Sequence, residues 1–221
     1  MKKLLAAVLD FLFPPRCPLC HAYVENAGDW CAPCLDQVAQ LHILPLTGKQ
    51  QKFITAAMAL SVYRGGTRNL VRSLKYRGRK STLPYIDTLI RKASDRHLEG
   101  ILAKIDIAVP IPLYREKEKA RGFNQTELIF SNFLQSKNIS VARLLTRTKN
   151  TAPMYKLSKS ERAINLKNAF SLTDREKIIS KNILLLDDIF TTGATIYECA
   201  KVLKNGGAQN IYALVLASDH S

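Results

Sequence analysis

The stretch ILLLDDIFTTGAT, which runs from Ile183 to Thr195, decides the fold of the chain around it. Its four opening apolar residues are typical of a buried parallel strand, and two adjacent carboxylates follow where we expect that strand to end. A loop of small and hydroxyl residues comes next. Residues 196–205 then have the spacing of an amphipathic helix, which we expect to end at Gly206 and Gly207.

A strand, a small-residue loop and a helix start in this order form a typical phosphate-binding site. The first N–H groups of a helix lack partners within the helix, and the helix dipole favours an anion at that end. Three threonine hydroxyls add donors, and a glycine lets the backbone approach a ligand closely. The loop lacks the Gly-Lys-Ser/Thr ending of a Walker loop.

The acid pair, Asp187 and Asp188, indicates that the phosphate belongs to a sugar. Carboxylates accept hydrogen bonds from the 2′ and 3′ hydroxyls of ribose, or hold them through a metal ion. The alternative is structural, because acids near a helix start are stabilised by the dipole alone. Since carboxylates at a strand end seldom lie in a core, we expect both acids to be replaceable without loss of the fold.

Acid pair and loop together resemble the phosphoribosyl pyrophosphate (PRPP) signature of type I phosphoribosyltransferases. This resemblance implies a PRPP site, with Mg²⁺ bound alongside PRPP. The residues assigned to PRPP are Asp187, Asp188, Thr191, Thr192, Gly193, Ala194 and Thr195.

Positive charge is concentrated away from this stretch. The chain has 221 residues, with 33 Lys and Arg against 18 Asp and Glu, which gives a formal net charge of +15. Residues 64–92 hold nine basic residues and one acidic residue, a net charge of +8. Residues 113–181 hold fifteen basic and six acidic residues, a net charge of +9. Residues 182–221 hold two basic and four acidic residues, a net charge of −2. This distribution predicts a second, larger polyanion as a partner; the alternative is the basic character common in ribosome-rich cytosols.

Residues 1–13 are mostly apolar and invite interpretation as a signal peptide. Asp10 interrupts the apolar run, Pro14 and Pro15 follow it, and no cleavage site of small residues is visible. We therefore expect a short amphipathic helix that packs on the following module, and leave open whether it touches a membrane. No later run reaches membrane-spanning length, so we expect a cytoplasmic protein without stable membrane insertion.

Two Cys-x-x-Cys knuckles follow, separated by ten residues. In a reducing compartment, four such thiols are typical of a tetrahedral zinc site rather than of disulfides. Two knuckles fill the coordination shell, so we expect the zinc to be structural and not catalytic. The alternatives are redox or disulfide pairs, and replacement of one cysteine by His21; Cys199 is expected to be a core residue. The residues assigned to zinc are Cys17, Cys20, Cys31 and Cys34.

Residues 67–80 predict a helix with a basic face. Leu70, Val71 and Leu74 form its inner stripe, and no acidic residue occurs between Arg64 and Lys80. Basic residues recur at steps of four, three and four, which predicts an electrostatic track for a phosphate backbone; the alternative is a solvated surface. Tyr76 is a candidate for base stacking, or else for a core or rim position. The residues assigned to nucleic acid are Arg68, Arg72, Lys75 and Arg79, with Arg121 as an extension once the chain folds.

The remaining elements predict an open parallel α/β sheet with ligands at the carboxyl ends of its strands. We expect strands over 53–63, 105–112 and 141–147, a helix over 82–98, and another opened by residues 121–127. Asn124 and Glu127 have the spacing of a capping box. Residues 35–50 are expected to be a connector. The predicted domains are therefore a zinc-binding module with its connector, residues 1–50, and a larger domain, residues 51–221.

The order of these motifs resembles the ComF family over nearly all of the chain. Besides the two cysteine knuckles, the motifs that carry the resemblance are Leu74 to Gly78, Val109 to Pro112, Arg121 to Gln125, Glu161 to Phe170, and Asp187 to Thr195. The resemblance implies a zinc-bearing module on a type I phosphoribosyltransferase-like domain. It also implies a role in natural competence, in which the chain handles single-stranded DNA beside other DNA-uptake proteins. The chain departs from the family at Thr151 to Met154, where members often carry Thr-x-x-Gln, so we place no site there.

Two classes of function remain open. In the first, the chain is a DNA-uptake factor that binds single-stranded DNA and PRPP without turning PRPP over. In the second, it is an active phosphoribosyltransferase with an unidentified small acceptor. Catalysis requires pyrophosphate to be held with Mg²⁺, a role for which the fold resemblance suggests the Ile111-Pro112 turn. Since no residue that selects a base is identifiable, we leave catalytic residues unassigned and favour the binding protein.

Overall fold

We describe the fold from a computed structural model, over residues 14–94, 96–150 and 165–220. The amphipathic helix expected over residues 1–13 and the departure at Thr151 to Met154 lie outside these ranges. So do the first four residues of the Glu161 to Phe170 motif. Within the described ranges, no helix is long and apolar enough to cross a membrane.

A five-stranded sheet organises the chain. Three of its four strand pairs run parallel, and the edge strand pairs antiparallel with its neighbour. The expected α/β class, a mainly parallel sheet preceded by a four-cysteine module, is confirmed. In spatial order the strands are β1 (Ala39–Ile43), β2 (Ala56–Ser61), β7 (Asn210–Ser218), β6 (Asn182–Phe190) and β3 (Ile107–Pro110).

A smaller antiparallel sheet pairs β4 (Leu145–Arg147) with β5 (Phe170–Leu172). The strand expected over 141–147 is therefore shorter than predicted and lies outside the main sheet. The preceding residues touch that sheet through an isolated parallel bridge between Val141 and Ala108 of β3, in which the Ala108 N–H donates to the Ser140 carbonyl over 2.8 Å and the Ala142 N–H donates to the Ala108 carbonyl over 3.0 Å. A sequence pattern cannot distinguish the two sheets, because both use short apolar segments.

Eight α-helices have both ends within the described part of the chain. They are α1 (Ala32–Val38), α2 (Gly48–Gln51), α3 (Gly65–Arg77), α4 (Leu83–Ala93), α5 (Arg96–Leu102), α6 (Arg115–Arg121), α7 (Gln125–Ser136) and α8 (Ala194–Asn205). The single helix expected over 82–98 is thus replaced by two, α4 and α5. The helix expected over 196–205 forms as α8 and ends at Gly206 as predicted.

The main sheet is covered on both faces, as its parallel strands require. One core holds Leu184 and Leu186 of β6 with the inner residues of α3, α4 and α7. The other holds Ile183 and Leu185 with the inner residues of α8, including the fully buried Cys199. Since successive strand residues point to opposite faces, this alternation also fixes where the residues after Leu186 point.

The predicted connector, residues 35–50, is instead ordered secondary structure. It contains the end of α1, the edge strand β1 and most of α2. Strand β1 was missed although its residues, Ala-Gln-Leu-His-Ile, alternate between apolar and polar types, because it is only five residues long and follows α1 directly, with no Gly or Pro between them to mark a turn. An antiparallel edge strand needs only one paired side, so weak β-propensity is sufficient there.

Helix α3 ends earlier than predicted. Gly78 adopts a left-handed conformation (φ 62°) as its C-cap, so Arg79 and Lys80 lie beyond the helix. The inner stripe of Leu70, Val71 and Leu74 is buried as expected.

Candidate functional site

Strand β6 continues past Leu186 and through both acids, and it ends at Phe190, four residues further than predicted. Helix α8 then begins after Gly193, its N-cap, which has a left-handed backbone (φ 70°). A Cβ atom at this position would lie 2.6 Å from the Phe190 ring, so the turn requires glycine on both conformational and steric grounds. No side chain caps α8. The Ala194 N–H donates to Thr192 Oγ1 over 3.4 Å, so the N–H groups that follow it in the first turn are the ones that can bind an anion.

Two residues outside the motif, one in the first quarter of the chain and one in its last strand-to-end segment, hydrogen-bond the carbonyl groups of the loop. Gln50, buried in α2, donates from Nε2 to the Thr192 carbonyl over 3.3 Å. His220 Nε2 lies 2.6 Å from the Thr191 carbonyl, which requires the proton to be on that nitrogen. Gln50 is fixed in turn by the backbone N–H and hydroxyl of Thr47. Thr47 and Gln50 have the spacing of a capping box, which could have drawn attention to Gln50, but no local pattern marks His220 or the contact of either residue with the loop.

The two acids point to opposite faces of the sheet because the strand continues through them. Asp188 shares its face with Leu184 and Leu186 and is only 3% exposed. Asp187 points to the α8 face, where its charge acts on Arg147 and Cys199, and it remains partly exposed. The expectation that neither acid belongs to the core is therefore wrong for Asp188.

Asp188 is held by an ion pair with α3. Lys75 Nζ lies 2.6 Å from Asp188 Oδ2, and the side chain of Lys75 is only 18% exposed. Burial lowers the pKa of Lys75, but the negative charge of Asp188 and its hydrogen bond to Lys75 more than offset this, so the pKa is raised and the ammonium stays charged. Lys75, assigned from the sequence to the basic track, thus lies against the acid pair in this structure.

Burial raises the pKa of Asp187 to about 8, with a further contribution from the charge of Asp188 and an opposing one from Lys75. The carboxyl is therefore largely protonated at neutral pH in the unliganded protein. A ligand that needs a carboxylate here would release a proton on binding.

These environments predict opposite stability effects for two adjacent residues. Because the pKa of Asp187 is higher in the folded state than the unfolded value of about 3.9, the wild type loses stability as pH rises toward about 8. We expect Asp187→Asn to remove this loss. The free energy of unfolding of the variant relative to wild type should therefore increase between pH 6 and 8 and stay constant above pH 8.

Asp188→Asn should instead lower the free energy of unfolding by about 3 kcal/mol, because it leaves Lys75 buried without its counter-ion.

Urea unfolding of both variants and wild type at pH 6, 7, 8 and 9 tests this difference. Equal destabilisation by the two substitutions would contradict the assignment of distinct environments.

The exposed part of the basic face lies next to this acid pair. Arg68 and Arg72 on α3 and Arg79 after it are exposed, and Tyr76 beside them is 65% exposed, so Tyr76 is not a core residue. Arg121, at the end of α6, lies within electrostatic range of Asp188 and Tyr76. The fold therefore brings Arg121 to the C-terminal end of α3.

The turn after β3 is fixed by Asn124. This buried side chain donates from Nδ2 to the Ile111 carbonyl over 3.0 Å and accepts from the Thr126 N–H over 3.0 Å, as the N-cap of α7. The capping box is only half confirmed, because Glu127 pairs with Arg143 over 2.6 Å instead. Beside the turn lies a cleft of about 700 Å³, whose lining includes Pro112, Lys119, Arg143 and Arg147.

The four knuckle cysteines come together as predicted. Their sulfur atoms all lie within 4.8 Å of one another, and none is in a disulfide. Cys20 Sγ is 3.5 Å from Cys31 Sγ, which is 3.7 Å from Cys17 Sγ. A tetrahedral zinc with bonds of about 2.3 Å places its sulfurs about 3.8 Å apart. The donor set therefore fits one structural zinc ion.

Backbone groups of the first knuckle favour the thiolate that zinc requires. Burial raises the pKa of Cys17, but hydrogen bonds from the backbone of Cys20, Leu19 and Cys31 outweigh it and bring the pKa down to about 6.

The cysteine module packs directly on the start of α3. Trp30 Nε1 donates to the Tyr85 carbonyl over 2.9 Å, and its ring covers Gly66, where a Cβ atom would lie 2.9 Å from the ring. Leu19 covers Gly65 in the same way. Loss of the metal should therefore disturb the helix that carries the basic residues.

We predict one zinc per chain in the purified protein. Cys34→Ser should lose the metal and lower the melting temperature, since metal binding contributes directly to folding free energy in such modules. Cys199→Ser is the matched control, because it alters a buried thiol that is not a zinc ligand. Elemental analysis and thermal unfolding provide the measurement, and full zinc content in Cys34→Ser would contradict the site.

Comparison with known proteins agrees with this geometry. A model of the double zinc ribbon domain matches residues 8–44, a segment whose four cysteines suffice for one zinc site. Competence protein F of Haemophilus influenzae is 35% identical over 113 residues, which cover 49% of this chain and 48% of that protein. Competence protein ComFC of Bacillus subtilis is 27% identical over 90% of this chain and 93% of its own length. These similarities support the resemblance of the chain to the ComF family.

The chain spans about half the length of the Haemophilus relative. Among solved structures, the glutamine PRPP amidotransferase of B. subtilis aligns with a TM-score of 0.36 and 15% identity. That alignment covers 52% of this chain and 24% of the enzyme.

Proposed function

We propose that this protein is a competence factor that binds single-stranded DNA and PRPP. The observation that carries the proposal is the contact between Lys75 and Asp188, since it joins a helix with exposed arginines to the acid pair of a phosphate-binding loop. The relatives named competence proteins support the DNA-uptake role. DNA-uptake proteins are its natural partners.

The PRPP part rests on chemistry at the carboxyl edge of the sheet. In open α/β sheets, ligands bind at this edge, beside the start of a helix. The uncapped start of α8 would hold the 5′ phosphate, and Asp187 would accept hydrogen bonds from ribose hydroxyls. Carboxylate oxygens are also the donors that Mg²⁺ prefers, and the ion would neutralise the pyrophosphate group. The turn at Ile111 and Pro112, on the adjacent strand, would face that group.

The DNA part rests on exposed charge and one exposed ring. Arg68, Arg72 and Arg79 can each contact a phosphate without breaking an ion pair described in this structure. Tyr76 presents a flat surface between Arg72 and Arg77 on which a base can stack. Phosphate contacts with stacking produce binding that depends strongly on salt and weakly on base sequence.

A second candidate, an active phosphoribosyltransferase, is favoured by the 700 Å³ cleft beside the Ile111–Pro112 turn. A cleft of this size accommodates a small acceptor. Incubation of the protein with PRPP, Mg²⁺ and a panel of bases tests it, because turnover would release pyrophosphate.

We predict that PRPP with Mg²⁺ raises the melting temperature by mass action, whereas ribose with Mg²⁺ does not. Asp187→Asn should abolish the shift, since a neutral amide accepts hydrogen bonds more weakly than a carboxylate and binds Mg²⁺ poorly. Asp219→Asn, a control near the chain end, should leave it unchanged. An unchanged shift in Asp187→Asn would require the acid to be reassigned to a structural role.

We predict a log–log salt slope of about −2 to −3 for an oligonucleotide, since three or four phosphate contacts contribute about −0.7 each. Fluorescence anisotropy across a salt series measures it. The double variant Arg68→Glu with Arg72→Glu should have a slope shallower by about 1.4 and should lose most of its affinity for the oligonucleotide. Arg91→Glu with Lys104→Glu is the control, because it makes the same change in net charge at exposed positions elsewhere. Equal loss in both double variants would show a non-specific effect of net charge.

A further inference from the structure

The Lys75 side chain stands between the two proposed binding surfaces. It follows the exposed Arg72 by three positions, so the two share one side of α3. Yet Lys75 also borders the buried stripe through Val71 and Leu74, and its ammonium group reaches Asp188 at 2.6 Å. A flexible four-carbon stem allows the same ammonium to turn toward either side.

We propose that PRPP binding with Mg²⁺ releases Lys75 from Asp188, so that Lys75 joins the DNA-binding face and the two ligands bind cooperatively. The inference rests on the proposed function, and it adds that PRPP regulates the binding of DNA. Lys75 Nζ lies 2.6 Å from Asp188 Oδ2, so it occupies the side of this carboxylate that Mg²⁺ or a ribose hydroxyl would have to reach in order to bind Asp188. Mg²⁺ there would repel the ammonium group, and a ribose hydroxyl would compete with it for the lone pairs of the same oxygen.

Release also changes the charge presented to DNA. In the ion pair, the charge of Lys75 is neutralised by Asp188 and largely withdrawn from solvent. Once freed, it lies beside Arg72 and Arg68 and provides one additional phosphate contact. One contact steepens the salt slope by about 0.7, which corresponds to about fivefold tighter binding at 0.1 M salt. Linkage then requires DNA to tighten PRPP binding by the same factor.

The experiment measures the salt slope for a labelled twenty-residue oligothymidylate with and without saturating PRPP, at the same Mg²⁺ concentration in both arms. Wild type should show a slope steeper by about 0.7 with PRPP. Lys75→Gln should show equal slopes in both arms. Arg72→Gln is the matched control: its slope should be shallower by about 0.7 in both arms while the increment caused by PRPP is retained.

Because Lys75→Gln leaves Asp188 buried without a counter-ion, a second measurement uses the wild type alone. Acetylation of lysines, followed by mass spectrometry, should be slow at Lys75 and fast at the exposed Lys104. PRPP with Mg²⁺ should raise the rate at Lys75 severalfold and leave Lys104 unchanged.

The inference is overturned if both ligands bind but the wild-type slope is unchanged and Lys75 stays protected. In that case PRPP and DNA bind independently and the proposed function stands. If the melting temperature does not respond to PRPP, or anisotropy does not respond to DNA, the proposed function fails and this inference fails with it.

Discussion

The ion pair between Lys75 and Asp188 is the constraint on which the arrangement of the site depends. A carboxylate that is 3% exposed is costly unless a cation and good geometry compensate for lost water. Here the cation comes from α3, so the helix must lie where Lys75 reaches Asp188 near the end of β6. The position of the exposed arginines follows, because they are carried by the same helix.

Other parts of the fold support the same geometry from a distance. The cysteine module presses Trp30 and Leu19 onto the two glycines that start α3, which fixes the end of the helix farthest from Lys75. Gln50 and His220 hold the loop that follows β6 through its carbonyl groups. Asn124 fixes the neighbouring turn after β3. Each contact joins segments that are distant in sequence, so the site is a property of the whole sheet edge.

Much of the fold was predictable where the pattern is local. The β6–loop–α8 unit, the cysteine knuckles and the buried stripe of α3 depend on residues close in sequence, and their periods and spacings are unambiguous. The break between α4 and α5 was not predictable, since tertiary packing overrides weak local preference there. Strand β1 does carry a local alternation, but it is short and follows α1 without a turn residue that would mark the end of the helix.

The direction of Lys75 was not predictable for a related reason. Helical periodicity places it on the same face as Arg72, but it lies at the border of that face, next to the buried stripe. Only the position of β6 decides whether a side chain at such a border turns outward or inward. The burial of Asp188 was missed likewise, because the strand continues past the four apolar residues and the alternation of faces carries that acid into the core.

A double-mutant cycle on the ion pair tests this arrangement most directly. The free energy of unfolding is measured for wild type, Lys75→Met, Asp188→Asn and the double variant. We expect a coupling energy of about 3 kcal/mol, since each single change leaves a buried partner uncompensated. The pair Lys92 and Asp36, equally close at 2.7 Å but at least half exposed, provides the reference, with an expected coupling below about 1 kcal/mol. A coupling between Lys75 and Asp188 no larger than this reference would contradict the central role of the ion pair.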